Sequence, residues 1–438
     1  MNCFSSKLGT IKAPTLMKKS RKTALVAALA AAIGASTYFA LKTDRNVSNF
    51  LFISDVHLNS FTQETTYGGD TGMILWKAFL TKADSVISKS DPSFIVYAGD
   101  LPTHVNFNTP IPDSARVVHN KNIATILTDL RDLATKHDKA LMYLPGNNDG
   151  IAGDYASFAD EEGETPLDLI PENNNPYPLV NMNKTGTQAP YVVSNPEPKI
   201  GYFSAKPTDG LRVIAMNTVL HASNYFPADG SDKFTDASQQ LSWLSDQLDD
   251  AQKQGEKALI ALHIPPGINA YNYKLIQNRA TNWKKYPAPN DWNNQFLQIV
   301  ADHQETITGV LYGHTHMDEL RRLYNPAGTE ITEIGISAPG VTPNHDNNPG
   351  FKIVEFDSKS KELIDYTTYY TLPENTTWGN DSYSFNQEFG YSNKNTMFEN
   401  LSKDNLDSIS KKLNKIYMVK HGLAGYKIKP GIDVKTEY

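Results

Sequence analysis

Cysteine is almost absent: Cys3 is the only one in 438 residues. That excludes an intramolecular disulfide and any zinc or iron–sulfur site built on several cysteines. Long apolar runs are equally scarce. One stretch, Thr23–Leu41, runs 19 residues without a charge, close to the roughly 20 a membrane-spanning helix needs. No internal repeat is visible, and Asn173–Asn175 and Asn344–Asn348 are short Asn-rich loops. Basic residues thin out beyond the N-terminus. Residues 1–45 hold eight Lys/Arg and one acid, Asp44, so of the totals of 41 and 48 the other residues carry 33 bases and 47 acids, a net of -14. So acidic a surface repels phosphate backbones, and a nucleic-acid partner is not expected. The overall balance, 39% hydrophobic and 20% charged, is that of a globular chain.

Lys18, Lys19, Arg21 and Lys22 directly precede the apolar run. Basic-then-apolar at an N-terminus reads as a secretory signal or an uncleaved anchor, with the basic cluster held on the cytoplasmic side. No clear small-x-small cleavage site follows, so both readings stand. Residues 1–45 are therefore expected to be a targeting segment. The protein is expected to be exported (secreted, periplasmic or lumenal), either soluble or anchored to the membrane through residues 23–41.

From Asn49 the pattern alternates short apolar runs with helical periodicity. Strands are expected at 50–54, 94–98, 140–144, 211–217, 258–262 and 307–311, and helices at 75–89, 122–136, 238–253 and 292–303. Such alternation implies βαβ units and a largely parallel sheet. Residues 151–200, rich in Pro, Asn, Asp, Glu and Gly, read as a polar surface excursion. Strand-like stretches at 320–324, 329–336, 351–356 and 362–371 follow without clear helices, so antiparallel pairing is expected there. Residues 398–419 read as helical.

Five polar motifs sit at predicted strand ends: Ser54-Asp-Val-His57, Gly99-Asp100, Gly146-Asn-Asn-Asp149, His263, and Gly313-His-Thr-His316. Ligands of open α/β sheets bind beyond the carboxyl ends of strands, so these motifs should converge. Their candidate metal ligands are Asp55, His57, Asp100, Asn147, His263, His314 and His316. These are hard and borderline donors without sulfur, suited to zinc, manganese or iron. Seven are too many for one tetrahedral ion. They suit two ions sharing a carboxylate, the arrangement that clamps both oxygens of an in-line phosphoryl displacement.

The ordered series resembles the calcineurin-like metallophosphoesterase superfamily. His263-Ile-Pro-Pro-Gly267, Tyr312-Gly-His-Thr-His316 with Asp318-Glu319, Ser337-Ala-Pro-Gly-Val-Thr-Pro343 with Asn348-Pro-Gly-Phe351, and Asp365-Tyr-Thr-Thr-Tyr-Tyr370 are similar to acid sphingomyelinase-like phosphodiesterases. The resemblance implies an α/β fold, a sandwich of two mixed β-sheets flanked by helices. It places the catalytic domain at 46–372, followed by a small C-terminal helical region at 373–438. It implies that Asp55, His57, Asp100 and His316 hold one divalent ion, and Asp100, Asn147, His263 and His314 the other. Zinc is favoured, with manganese or iron as alternatives, and a bridging hydroxide is the implied nucleophile. The expected enzyme is a monomeric phosphodiesterase acting on a small-molecule phosphodiester, nucleotide or phospholipid headgroup.

His104, four residues after Asp100, takes the general-acid role in the resembled subfamily. Asn148 departs from the pattern, which reads Gly-Asn-His at that point. An amide can donate a hydrogen bond to a phosphate oxygen but cannot deliver a proton. Leaving groups that need little protonation, such as phosphates, are therefore favoured over the alkoxide of a ceramide. A sphingomyelin phosphodiesterase is the alternative reading, and a metal-binding pseudoenzyme a further one. His221 is read as structural rather than facing the cleft. His345 is read equally as a substrate contact or a solvated loop residue, and Tyr271, Tyr273 and Trp283 as packing or as a wall for substrate. His119, His137, His303 and His421 are expected at the surface.

Overall fold

The computed structural model describes residues 46–105, 112–170, 192–271, 281–423 and 428–436, and the backbone of 179–180. Residues 1–45, expected to be a targeting segment, and with them Cys3, lie outside the described residues, as does Tyr273. Among those described, the strands are β1 (Val47–Ile53), β2 (Ile95–Tyr97), β3 (Leu141–Tyr143), β4 (Leu179–Val180), β5 (Val192–Glu197), β6 (Tyr202–Thr208), β7 (Leu211–Ala215), β8 (Lys257–Ala261), β9 (Ile307–Tyr312), β10 (Leu320–Tyr324), β11 (Ile331–Ser337), β12 (Gly350–Asp357), β13 (Leu363–Tyr370), β14 (Ser382–Ser384) and β15 (Gly431–Val434). The helices are α1 (Met73–Ser90), α2 (Asp113–Lys136), α3 (Lys233–Gln254), α4 (Trp292–Asp302), α5 (Phe385–Phe389), α6 (Met397–Lys403) and α7 (Leu406–Leu413).

Two mixed sheets form, in the orders β14-β13-β12-β1-β2-β3-β4 and β15-β10-β11-β9-β8-β7-β6-β5. Each has a parallel centre, β1-β2-β3 in one and β7-β8-β9-β11 in the other, flanked by antiparallel strands. The central strands read as unbroken apolar runs because both of their faces are covered. Phe50 and Phe52 face the core between the sheets with Val213, Leu259 and Leu311. Leu51 and Ile53, one residue out of phase, pack outward against Phe79 of α1 and Ile126 of α2. Ile214 and Ile260 of the second sheet pack outward against Leu244 of α3 and Phe296 of α4. Leu241, Leu244, Leu248 and Ala251 give α3 its buried stripe. Asp232 caps its start by accepting from the Phe234 amide, and Gly255 ends it at φ 69°.

Four expectations need correction. His119 and His303 are buried rather than at the surface. His119 lies on the inner face of α2 and its Nε2 donates to the Gly150 carbonyl at 2.9 Å; burial lowers its pKa to about 4. The polar stretch 151–200 contains the edge strand β5, whose Pro196 and polar residues hid it; proline is tolerated in a strand at an edge. Its neighbour β6, paired on both sides, carries Pro207 at its end and was hidden by that proline and by Ser204 and Lys206. The C-terminal region adds strands as well as short helices: β14 pairs with β13, and β15 with β10. The helical stretch at 398–419 breaks at Asn405, whose side chain caps α7 by accepting from the Asp407 amide. Among the described residues, no helix is long and apolar enough to cross a membrane.

Candidate metal centre

All seven sequence-predicted donors follow the carboxyl ends of parallel strands: Asp55 and His57 after β1, Asp100 after β2, Asn147 after β3, His263 after β8, and His314 and His316 after β9. The chain turns sharply there. Asp55, His57, Asp100, His314 and His316 take φ of 51°, 45°, 63°, 73° and 58°. A non-glycine residue in such a conformation costs of order 1–3 kcal/mol, and such strain gathers where a site demands it. Glycine makes the close approaches. Gly99 adopts φ 84°, and a Cβ there would overlap the Gly146 backbone. A Cβ at Gly313 would overlap Ser54 Oγ and lie 3.1 Å from His263 Nδ1.

The donors meet in two groups. Asp55, His57, Asp100 and His316 offer atoms within 4.8 Å of one another, and so do Asp100, His263 and His314. Asp100 belongs to both: its Oδ2 lies 3.2 Å from His57 Nε2 and 3.3 Å from His263 Nε2. His316 Nε2 lies 3.4 Å from Asp55 Oδ1 and 3.2 Å from His57 Nε2. Asn147 Oδ1 completes the second group, 3.1 Å from His263 Nε2 and 3.0 Å from His314 Nδ1. Backbone carbonyls set two of the rings. His57 Nδ1 donates to the Pro102 carbonyl at 3.0 Å and His263 Nδ1 to that of Ala98 at 2.6 Å, so each presents Nε2 to the cluster. Asp55 accepts the His314 amide at 3.0 Å.

Burial keeps three of the four imidazoles unprotonated. Burial lowers the pKa of His57, His314 and His316, His314 to about 3. Against the effect of burial, His263 and His57 hold Asp100 well below the usual carboxylate range. Likewise against burial, Asp100 pushes His263 up to about 9. Burial raises the pKa of Asp55 to about 7, so it is the Asp100 carboxylate that demands positive charge inside the cluster. Four imidazoles, two carboxylates and an amide oxygen, convergent and buried except for the partly exposed His314, fit a pair of divalent ions of hard or borderline character.

His104 stands beside this cluster, its ring stacked on His57 at 3.8 Å and 14°. Its Nδ1 lies 2.8 Å from Asp70 Oδ1, and Asp70 also accepts the His104 amide at 2.9 Å and the Asn344 side-chain amide at 3.1 Å. Burial alone would lower the His104 pKa, but Asp70 raises it. Asn148 is turned toward the cluster: its amide and its side-chain NH2 donate to the two oxygens of Asp100 at 2.8 and 3.0 Å.

The aromatic and histidine candidates divide. His345 borders the donor cluster, its ring 4.5 Å from that of His316 and 4.6 Å from that of Tyr271. Tyr271 donates its hydroxyl to the His314 carbonyl. Trp283 is buried packing, with its ring nitrogen on the Ile264 carbonyl at 2.9 Å. His221 is buried between Trp283 and Trp292 and belongs to neither donor group.

Sequence reasoning assigned no role to four carboxylates. Asp70 anchors His104. Asp154 accepts from Asn147 Nδ2 at 2.9 Å. Asp149 accepts from the amides of Asp100, Leu101 and Gly146. Asp318, two residues past His316, pairs with the buried Lys352 at 2.8 Å and accepts from Tyr366, Thr368 and Tyr383. Asp149 and Asp318 sit inside the quoted motifs, which was the available signal. Asp70 and Asp154 carry none, since nothing in the chain announces what they touch.

A family model described as calcineurin-like phosphoesterase matches residues 48–318, more than half of the chain. Among curated relatives, human acid sphingomyelinase-like phosphodiesterase 3b is 35% identical over 174 residues, 37% of this chain and 35% of that protein. Sphingomyelinase phosphodiesterase D of Dictyostelium discoideum is 28% identical over 314 residues, 70% of this chain and 61% of that protein. Human Cyclic GMP-AMP phosphodiesterase SMPDL3A is 26% identical over 307 residues, 65% and 57% of the two chains. The chain thus spans about a third to three fifths of these relatives. A solved structure of a putative 5'-nucleotidase from Staphylococcus aureus aligns with 73% of this chain and 52% of that one, at 13% identity and a TM-score of 0.39.

Proposed function

The chain belongs to the calcineurin-like phosphoesterase family, and on that premise we propose that it is a metal-dependent hydrolase of phosphodiester or phosphoanhydride bonds in small molecules. The observation that carries this reading is the position of Asp100 in two donor sets at once. Asp55, His57, Asp100 and His316 would hold one ion, and Asp100, Asn147, His263 and His314 the other, with zinc favoured. When bound, such a pair lowers the pKa of water and neutralises charge on a phosphoryl group.

The chain's own residues do the rest. His57 and His263 are held in one tautomer by backbone carbonyls. His104 is held by Asp70 through Nδ1, which leaves Nε2 to carry the proton a leaving group takes up. General acid help of this kind contributes about 10²–10⁴-fold. Asn148 supplies no proton, and its side chain is already engaged with Asp100. One acid rather than two favours leaving groups that are stable as anions, so nucleotide-type substrates are preferred. The names of the relatives supply a second reading, a sphingomyelin phosphodiesterase.

We assign the catalytic domain to 46–372, followed by 373–438, whose β14 and β15 extend the two sheets, and residues 1–45 to export or anchoring. Monomeric protein is expected. The test is a panel of a nucleoside triphosphate, a cyclic dinucleotide, an alkyl phosphodiester and sphingomyelin, assayed with metal analysis of the same sample. Hydrolysis of the nucleotides with two ions bound is the expected result. Full metal loading without turnover of any of the four would contradict it. Fractionation that found the intact chain soluble in the cytoplasm would overturn the export assignment.

A further inference from the structure

Asn147 is the one amide among the seven donors, and its side chain is ambident: rotated by 180° it would present NH2 where the carbonyl oxygen now stands. A cation is repelled by that NH2, so something must set the orientation. In this structure the amide nitrogen donates to Asp154 Oδ1 at 2.9 Å, while Oδ1 faces His263 and His314 at 3.1 and 3.0 Å. An ionised carboxylate only accepts, so it can face only the NH2 end.

The chain around Asp154 is itself held. The Tyr155 amide donates to the Asn147 carbonyl at 2.6 Å, the Phe226 amide to the Tyr155 carbonyl at 2.8 Å, and the Ser157 amide to the Phe226 carbonyl at 2.8 Å. These bonds fasten the segment carrying Asp154 on one side to the loop after β3 and on the other to Phe226. The carboxylate is therefore fixed relative to the amide it meets.

Resting on the two-metal reading above, we propose that Asp154 is a positioning residue: it locks the Asn147 amide so that the carbonyl oxygen faces the ion shared with Asp100, His263 and His314. The hydrogen bond to a carboxylate also draws electron density toward Oδ1, which makes a neutral ligand a better partner for a hard cation. Asp154 touches neither substrate nor ion; it acts through Asn147.

The experiment is a titration of metal-stripped full-length protein with Mn2+, reading both binding steps by calorimetry. Co2+ absorption serves as a signature of each site. Removing an outer partner of a ligand costs about 10–100-fold in affinity. Asp154→Ala should weaken one step by that much and leave the other within about twofold, with the Co2+ spectrum of the retained site unchanged. Asp154→Asn keeps an acceptor oxygen and should recover most of the loss. Two unchanged steps in Asp154→Ala would overturn the proposal and leave the two-metal reading intact. Equal weakening of both steps would show a structural collapse and overturn it as well. Wild-type protein binding no Mn2+ would remove the two-metal reading itself, and the proposal with it. Should Asp154→Ala not fold, the same contrast is read in Asp154→Leu, which is close to aspartate in size but has no acceptor; there selective weakening supports the proposal and uniform or absent weakening overturns it.

Discussion

Asp149 is the place where the fold and the candidate centre are joined, and its removal can be worked out from the structure. Its carboxylate is fully buried. It accepts the amides of Asp100 at 3.1 Å, Leu101 at 2.6 Å and Gly146 at 2.7 Å, and the Tyr143 hydroxyl at 3.0 Å. Two of those amides belong to the loop carrying Asp100 and one to the loop carrying Asn147. Asp149→Ala deprives three buried amides of their acceptor. At about 1–3 kcal/mol for each unsatisfied group, the loss sums to roughly 3–9 kcal/mol, comparable to a whole domain's stability of about 5–15 kcal/mol. Asp149→Asn keeps one oxygen. With that oxygen in the place of Oδ2, the Asp100, Gly146 and Tyr143 bonds survive and the new NH2 opposes the Leu101 amide, a loss of about 1–3 kcal/mol. Urea unfolding of the wild type and both variants measures this. The expected order is wild type, then Asn, then Ala, with the alanine protein folded poorly or not at all. An alanine variant within about 1 kcal/mol of the wild type would refute the view that this carboxylate clips the two loops together.

Two further outcomes are expected. His104→Ala should lower kcat/KM on an alkyl phosphodiester by about 10²–10⁴-fold and less on a nucleoside triphosphate, while equal losses would mean that His104 binds phosphate rather than donating a proton. Glu333 is buried at 3% exposure, and burial pushes its carboxyl up to about 8. A carboxyl raised in the folded state loses stability as pH climbs from its unfolded value toward 8, so Glu333→Gln should stabilise the protein at pH 7, by on the order of 3 kcal/mol, and be near neutral at pH 4. A gain of the same size at both pH values, read from thermal unfolding, would contradict that.

The donors were legible because their chemistry is local. Asp55 and His57, or His314 and His316, lie two residues apart right after an apolar run, and an apolar run of that length is a buried strand. Their convergence follows from the parallel centre of each sheet. The supporting carboxylates were not legible, because Asp70, 34 residues before His104, and Asp154, seven after Asn147, gain meaning only through contacts. Two strands were lost for a physical reason: the edge strand β5 and its neighbour β6 carry proline and polar residues, and periodicity does not flag them. His119 could have been found. It lies four and seven residues before Ile123 and Ile126, on their face of α2, and was missed because that helix begins at Asp113 rather than near Asn122.

Metal content tests the central claim most directly. Wild type, Asp100→Ala and His316→Ala are purified alike, dialysed against metal-free buffer, and measured for ions per chain. The shared position of Asp100 predicts two ions in the wild type, nearly none in Asp100→Ala, and about one in His316→Ala, which removes a donor from a single set. Asp100→Ala protein that is folded and still holds two ions per chain would contradict the account.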